Sequence, residues 1–140
     1  MDAKHKYFRI KPIGFIRSDL KRRKDAPRQG REGAPNAFVE VLASYTKALH
    51  RMHAGDEIII ISWLDRAERN ILEVHPRGDA SRPLTGVFST RSPDRPNPIG
   101  LHRVKILAID QGNLHVGPIE AIDGTPVIDI KPVLSESADW

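Results

Sequence analysis

The sequence predicts a mainly β protein, a small closed or nearly closed β-barrel of about seven strands with one short helix. Three observations carry that prediction. Short runs rich in β-branched and alternating apolar residues recur along the chain, with "DEIIIISW" at 56–63 and "LHRVKILAI" at 101–109 the clearest. Turn residues separate them, in "PRGDASRPLTG" at 76–86, "DQGN" at 110–113 and "DGTP" at 123–126. Helical spacing is confined to one stretch that ends at "YTKALHRMH", 45–53. At 140 residues and 39% hydrophobic content the chain has material for one modest core, so a single domain over 1–140 is expected.

The elements follow in order. "YFRIKPIGFI" at 7–16 puts Phe8 and Ile10 on one face, and its apolar pattern resumes after Pro12 as an interrupted edge strand would. In "NAFVEVLA" at 36–43, Val39 and Val41 alternate as in a strand, while Phe38, Leu42, Tyr45, Leu49 and Met52 fit a helix. The stretch divides into a strand to about Ala43 and a short helix capped by Gly55. The four isoleucines of 58–61 are too few for a buried helix and read as a central strand. Shorter strands are expected at 70–76 and 87–90. After them "LHRVKILAI" turns through "DQGN" into "LHVGPIEAI" as a hairpin, and "VIDIKP" forms the last strand.

Composition removes whole classes of chemistry. Without cysteine there is no disulfide, no cysteine-ligated zinc or iron–sulfur cluster and no thiol nucleophile. No apolar run approaches membrane-spanning length, and "MDAKHKYFRIKPIG" lacks a signal peptide's hydrophobic stretch, so a cytoplasmic protein without membrane contact is expected. Neither a G-x-G-x-x-G after a strand nor a Walker loop occurs. His50 and His53 have helical spacing but no third ligand, so no metal site is expected. His75, His102 and His115 stand alone and read as structural. Ser89 and Ser92 lack the context of a nucleophilic serine.

The net charge of +4 sits in one place. Residues 17–33 hold seven Lys/Arg (Arg17, Lys21, Arg22, Arg23, Lys24, Arg28, Arg31) against three acids (Asp19, Asp25, Glu32), and the rest of the chain balances. Such a stretch is either a footprint for a polyanion such as RNA or a solvated loop. A second distinctive segment is "STRSPDRPNPIGLHR" at 89–103. Pro93, Pro96 and Pro98 fix φ at three positions and push Ser92, Arg95 and Asn97 into extended geometry. A loop so constrained presents Arg91, Arg95 and Asn97 with little ordering entropy left to lose on binding.

"GVFSTRSPDRPNPIG" at 86–100 closely resembles the signature of the TrmO family, also called TsaA- or YaeB-like, S-adenosylmethionine-dependent tRNA methyltransferases built on a small β-barrel. "IGFIRS" at 13–18, "PRQ" at 27–29 and "DGTPVIDIKP" at 123–132 match in the family's order, so the resemblance spans nearly the whole chain. It implies S-adenosyl-L-methionine as cofactor, tRNA as partner and a homodimer with the site near the subunit interface. It also implies cofactor contacts from Pro27, Arg28, Gln29, Arg91, Leu101, Gly117, Pro118, Ile119 and Glu120. One departure stands out. Where many members end the central strand with an aromatic–histidine pair, this chain has "SWLDRA", so Leu64 and Asp65 fall on the cofactor-contacting positions and the histidine is missing.

The chemistry of the implied ligands suits these side chains. Arg28 or Arg91 can take a carboxylate as a bidentate fork, and Asp65 or Glu120 can take ribose hydroxyls or an ammonium. For the family's substrate, threonylcarbamoyladenosine beside the tRNA anticodon, basic side chains over 21–31, Lys21, Arg22, Arg23 and Lys24 among them, can hold the flanking phosphates, and Arg95 and Asn97 can read the modified base. The candidate proton acceptors are Asp65 and Glu120, because Asp123 precedes Gly124 in a strong turn signal and is expected to cap that turn. Two other functions fit the same residues: methyl transfer to a small molecule or protein, and cofactor binding without catalysis.

Overall fold

In the computed structural model, residues 6–134 are described, so 1–5 and 135–140 of the domain expected over 1–140 lie outside them. Eight strands form among the described residues: β1 (Gly14–Arg17), β2 (Ala37–Val41), β3 (Glu57–Trp63), β4 (Glu73–Val74), β5 (Thr85–Gly86), β6 (Ile99–Asp110), β7 (Asn113–Gly117) and β8 (Pro126–Pro132). Six close a barrel in the order β1-β2-β7-β6-β3-β8, every neighbour antiparallel, and β8 returns to β1 through Gly14↔Val127 and Phe15↔Pro126. β4 and β5 pair apart from it as a two-stranded ribbon. The mainly β barrel read from the sequence is therefore the architecture found.

Period-two alternation explains why the barrel closes on itself. β3 turns Ile58, Ile60 and Ser62 inward, and β6 turns Gly100, His102, Val104 and Ile106 to meet them. Ile16, Val39, Leu114, Val116, Ile119 and Val127 complete a core with almost no solvent contact. Each such side chain contributes about 1.5–3 kcal/mol by leaving water. The β6–β7 hairpin turns through Gln111 (φ 47°) and Gly112 (φ 86°), both left-handed, which is the twist-compatible two-residue turn that "DQGN" announces.

Several local expectations give way. The strand expected over 7–16 begins only at Gly14, and Phe8, expected to share a strand face with Ile10, is 86% exposed. Pro12 has no amide hydrogen for a ladder, and β8 offers β1 pairing only as far as Gly14. The short helix is a 3₁₀ helix over Ala43–Leu49, and the left-handed residue after it is Arg51 (φ 72°), while Gly55 instead serves the turn into β3. The strand expected over 70–76 reduces to Glu73–Val74, 87–90 becomes a 3₁₀ turn over Val87–Ser89, and β7 stops at Gly117, short of the expected Ile122. The connection between β3 and β6, residues 64–98, thereby leaves the barrel wall as a long arm over one end.

Candidate functional site

A cleft of about 1220 Å³ opens at the barrel end where β3 finishes and β6 begins. Three segments wall it: the basic loop at Arg23–Gln29, the arm 64–98, and the segment after β7 at Glu120–Ile122. The walls are tied together across the opening. Arg23 donates to both carboxylate oxygens of Asp94 (3.1 and 3.2 Å) and to the Arg66 carbonyl (3.3 Å), while Arg66 donates to the Lys21 carbonyl (3.0 Å). Asp94 also accepts from the Glu68 amide (2.8 Å), so one carboxylate joins both ends of the arm to the basic loop.

Eight of the eleven residues expected to contact the cofactor line this cleft: Pro27, Arg28, Gln29, Leu64, Asp65, Arg91, Leu101 and Glu120. They come from separate stretches of chain, so the barrel and its arm do the gathering. Gly117, Pro118 and Ile119 do not line it. Ile119 is wholly buried in the core, its amide bonded to the Pro35 carbonyl, and the wall is made by the residues that follow, Glu120, Ala121 and Ile122.

The residues expected to meet the substrate are divided. Arg23 and Lys24 reach the cleft, but Lys21 pairs with Asp123 (3.2 Å), Arg22 with Asp25 (3.0 Å) and Arg23 with Asp94. Among the described residues only Lys24 of that quartet has no acidic partner. Arg95 is turned inward upon its own loop. It donates to the carbonyls of Thr90 (3.1 Å), Ser92 (3.0 Å) and Val87 (3.1 Å), and its guanidinium lies over the Phe88 ring. Asn97 accepts from Arg69 (3.0 Å), whose guanidinium also covers Trp63. Neither Arg95 nor Asn97 lines the cleft.

Among the described residues, Lys24, Arg28, Arg66 and Arg91 are the cleft cations without an internal anion, Arg66 bonding only the Lys21 carbonyl, and Asp65 and Glu73 are its acids without an internal cation. A buried chain supplies the remaining polar feature. Ser62 Oγ and His102 Nε2 are 2.7 Å apart, and His102 Nδ1 meets Glu120 Oε1 at 2.5 Å. Sequence pattern alone presents His102 as an isolated structural histidine; it is buried, yet it lines the cleft floor beside Glu120.

Asp123 faces away from the cleft and caps not its own turn but the strand across from it. Its Oδ1 accepts from the Ser18 amide (3.0 Å), and that bond, opposed by partial burial and aided by Lys21, holds the carboxyl below its ordinary value. A folded value below the unfolded one makes the contribution present above about pH 4 and lost as the pH falls through the folded value. Asp123→Asn is therefore expected to cost about 1 kcal/mol at pH 7. Urea unfolding at a series of pH values should find the gap to wild type narrowing in acid, and a pH-independent gap would exclude this role.

The family defined as the tRNA-methyltransferase O N-terminal domain matches residues 15–139, from β1 onward. The chain belongs to that family. An S-adenosyl-L-methionine-binding protein of Archaeoglobus fulgidus is 44% identical over 122 residues, 87% of this chain and 86% of that protein. A probable S-adenosyl-L-methionine-binding protein of Methanothermobacter thermautotrophicus is 45% identical, with 89% and 88% covered. Among solved structures, TrmO from Pseudomonas aeruginosa superposes with a TM-score of 0.76 at 28% identity, covering 96% of this chain. This chain spans 60% of that TrmO's length. At the end of β3, Leu64 lies beside Gly100, and the imidazole nearest that point is His102 from β6.

Proposed function

We propose that this protein is an S-adenosyl-L-methionine-dependent methyltransferase that modifies the exocyclic nitrogen of threonylcarbamoyladenosine in the tRNA anticodon loop. The observation that carries it is the cleft, where the family's separated motifs converge around cations and acids that nothing inside the protein neutralises among the described residues. Such a donor set fits the cofactor. Arg28 or Arg91 takes the carboxylate, Asp65 or Glu73 the ammonium or the ribose hydroxyls, and Leu64, Leu101 and Pro27 the apolar faces of adenine and ribose. When bound, the cofactor supplies an electrophilic methyl group, so the protein's task is to bind, orient and take up a proton. At about 1220 Å³ the cleft exceeds the usual range for one small ligand, leaving room for a splayed nucleotide beside the cofactor.

The membrane plays no part in this reading; among the described residues no helix is long and apolar enough to cross one. A cytoplasmic homodimer belongs to the same reading, and Leu101 (49% exposed) and Ile99 (43% exposed) of β6, which line the cleft, are apolar side chains there for a partner to cover. Incubating the protein with methyl-labelled S-adenosylmethionine and total tRNA, then digesting to nucleosides, tests the function. Label in methylated threonylcarbamoyladenosine supports it. Label elsewhere favours another acceptor, a reading the Leu64 position recommends, and binding without transfer favours a cofactor-binding protein, as the relatives are named.

The basic loop makes a separate prediction. Exposed pairs such as Lys21–Asp123 and Arg22–Asp25 contribute little and can exchange their acids for phosphates, whereas Arg23 holds the cleft walls together. Replacing Lys21, Arg22 and Lys24 with alanine, with Arg23 kept, should reduce the salt slope of tRNA binding by about 0.7 for each phosphate that is no longer neutralised. An unchanged slope would remove RNA from this loop.

A further inference from the structure

We propose that His102 is a positioning residue that holds Glu120 as the proton acceptor of the methyl transfer, with Ser62 fixing the hydrogen on the imidazole. The inference rests on the functional reading above and singles out one acid among the several that line the cleft. A carboxylate accepts hydrogen bonds and donates none, so His102 Nδ1 carries the hydrogen toward Glu120 Oε1. Nε2 of the neutral ring is then the acceptor, and the Ser62 hydroxyl donates to it. The register puts both partners where this is possible: Ser62 lies opposite Gly100 and Ile60 opposite His102, so the two side chains meet diagonally inside the barrel end.

The resemblance to a serine–histidine–acid hydrolytic triad is superficial, because the polarity of the chain is reversed. Ser62 has no solvent exposure and does not line the cleft, while the carboxylate and the imidazole beside it do. Glu120 Oε1 is engaged by His102. Its Oε2 lies beside Gly30, where a built Cβ would stand 3.1 Å away, and the Glu120 side chain keeps 18% of its surface open. Asp65, by contrast, is exposed and has no side-chain partner among the described residues, and would have to be ordered at each turnover.

The step balances. The acceptor nitrogen forms its bond to the methyl carbon as the carbon–sulfur pair returns to sulfur, and the nitrogen's hydrogen passes to Glu120 Oε2. A sulfonium and a carboxylate become a thioether and a carboxylic acid, so one positive and one negative charge disappear together. No net charge has to build up as the step proceeds, and the His102 bond keeps the acceptor aimed while it happens.

Three measurements test this. Glu120→Gln, which keeps shape and removes the proton acceptor, should lower kcat about 100-fold with the KM for S-adenosylmethionine little changed. His102→Asn, whose amide nitrogen can stand in for Nδ1, should retain far more activity than His102→Ala. Nitrogen-15 NMR of the ligand-free protein should find the His102 hydrogen on Nδ1 and Nε2 bare, a readout independent of turnover and available even if His102→Ala fails to fold. A hydrogen on Nε2, or an active wild type whose Glu120→Gln variant turns over at the same rate, would overturn the proposal. A wild type that binds cofactor and labels no tRNA would overturn the functional reading itself, and the assignment of Glu120 would fall with it.

Discussion

Arg95→Met is expected to lower the melting temperature by about 6–9 °C, because the arginine braces the loop that carries it. Three carbonyls, at Val87, Thr90 and Ser92, converge on one guanidinium. Methionine keeps the length and apolar contact of the side chain and removes every donor. Some of the orphaned carbonyls recover water, which limits the loss to about 2–3 kcal/mol, and about 3 °C of melting temperature accompanies each kcal/mol at this chain length. Arg95→Lys should recover little, since a single ammonium on a flexible stem cannot span three carbonyls that a planar fork fits. Differential scanning calorimetry gives the melting temperatures. Limited trypsin digestion should find new cleavage at Arg91, at the free end of the loosened loop. An unaltered melting temperature with weakened substrate binding would return Arg95 to the substrate-facing part that its sequence setting suggests.

The contrast between that setting and the structure marks the boundary of what the sequence makes legible. Prolines at 93, 96 and 98 announce a rigid segment, but proline geometry constrains the backbone and says nothing of which way an arginine turns. Arg95 turns inward because its own loop offers three carbonyls to its guanidinium; Arg91, four residues earlier, faces the cleft. Strand identity is more legible than strand length. β3, β6 and β8 follow directly from β-branched alternation, whereas the expected strand at 87–90 fails because Thr90 bonds back to Val87 through both its amide and its hydroxyl, closing a turn. The acids follow the same logic. Asp123 looks like its own turn's cap, yet the barrel brings the Ser18 amide to it from far along the chain. His102 is the case where the signal was present: alternation through Val104 and Ile106 puts it on the inward face, and an imidazole on a barrel's inner wall requires partners. The identity of those partners depends on the β3–β6 register and on where the chain goes after β7, and neither is written in local pattern.

The same geometry leaves no room for a side chain at Gly100, and Gly100→Ala is expected to destabilise the protein by about 3 kcal/mol, or about 9 °C of melting temperature. A Cβ built there stands 2.5 Å from Ser62 Oγ, 2.9 Å from His102 Nε2 and 3.3 Å from Leu64 Cδ1. The first two atoms are buried and bonded to one another, so neither can retreat into solvent. Relief requires Ser62 to swing off His102, which leaves buried polar atoms unpaired and adds about 1–3 kcal/mol to the steric cost. The clash has a specific remedy. Removing the hydroxyl with Ser62→Ala takes away the closest atom, so the double variant should melt well above the sum of the two single losses, a coupling that independent sites do not have. Thermal unfolding of the four proteins measures it. Additive losses would mean that the alanine methyl is accommodated elsewhere, and a Gly100→Ala variant melting within a degree of wild type would show that the Ser62–His102 link is not held against Gly100 at all. With coupling observed, the glycine of "PNPIG" acquires a physical reason: its missing side chain is the space through which β3 reaches β6 to hold His102, and through His102 the carboxylate at the cleft.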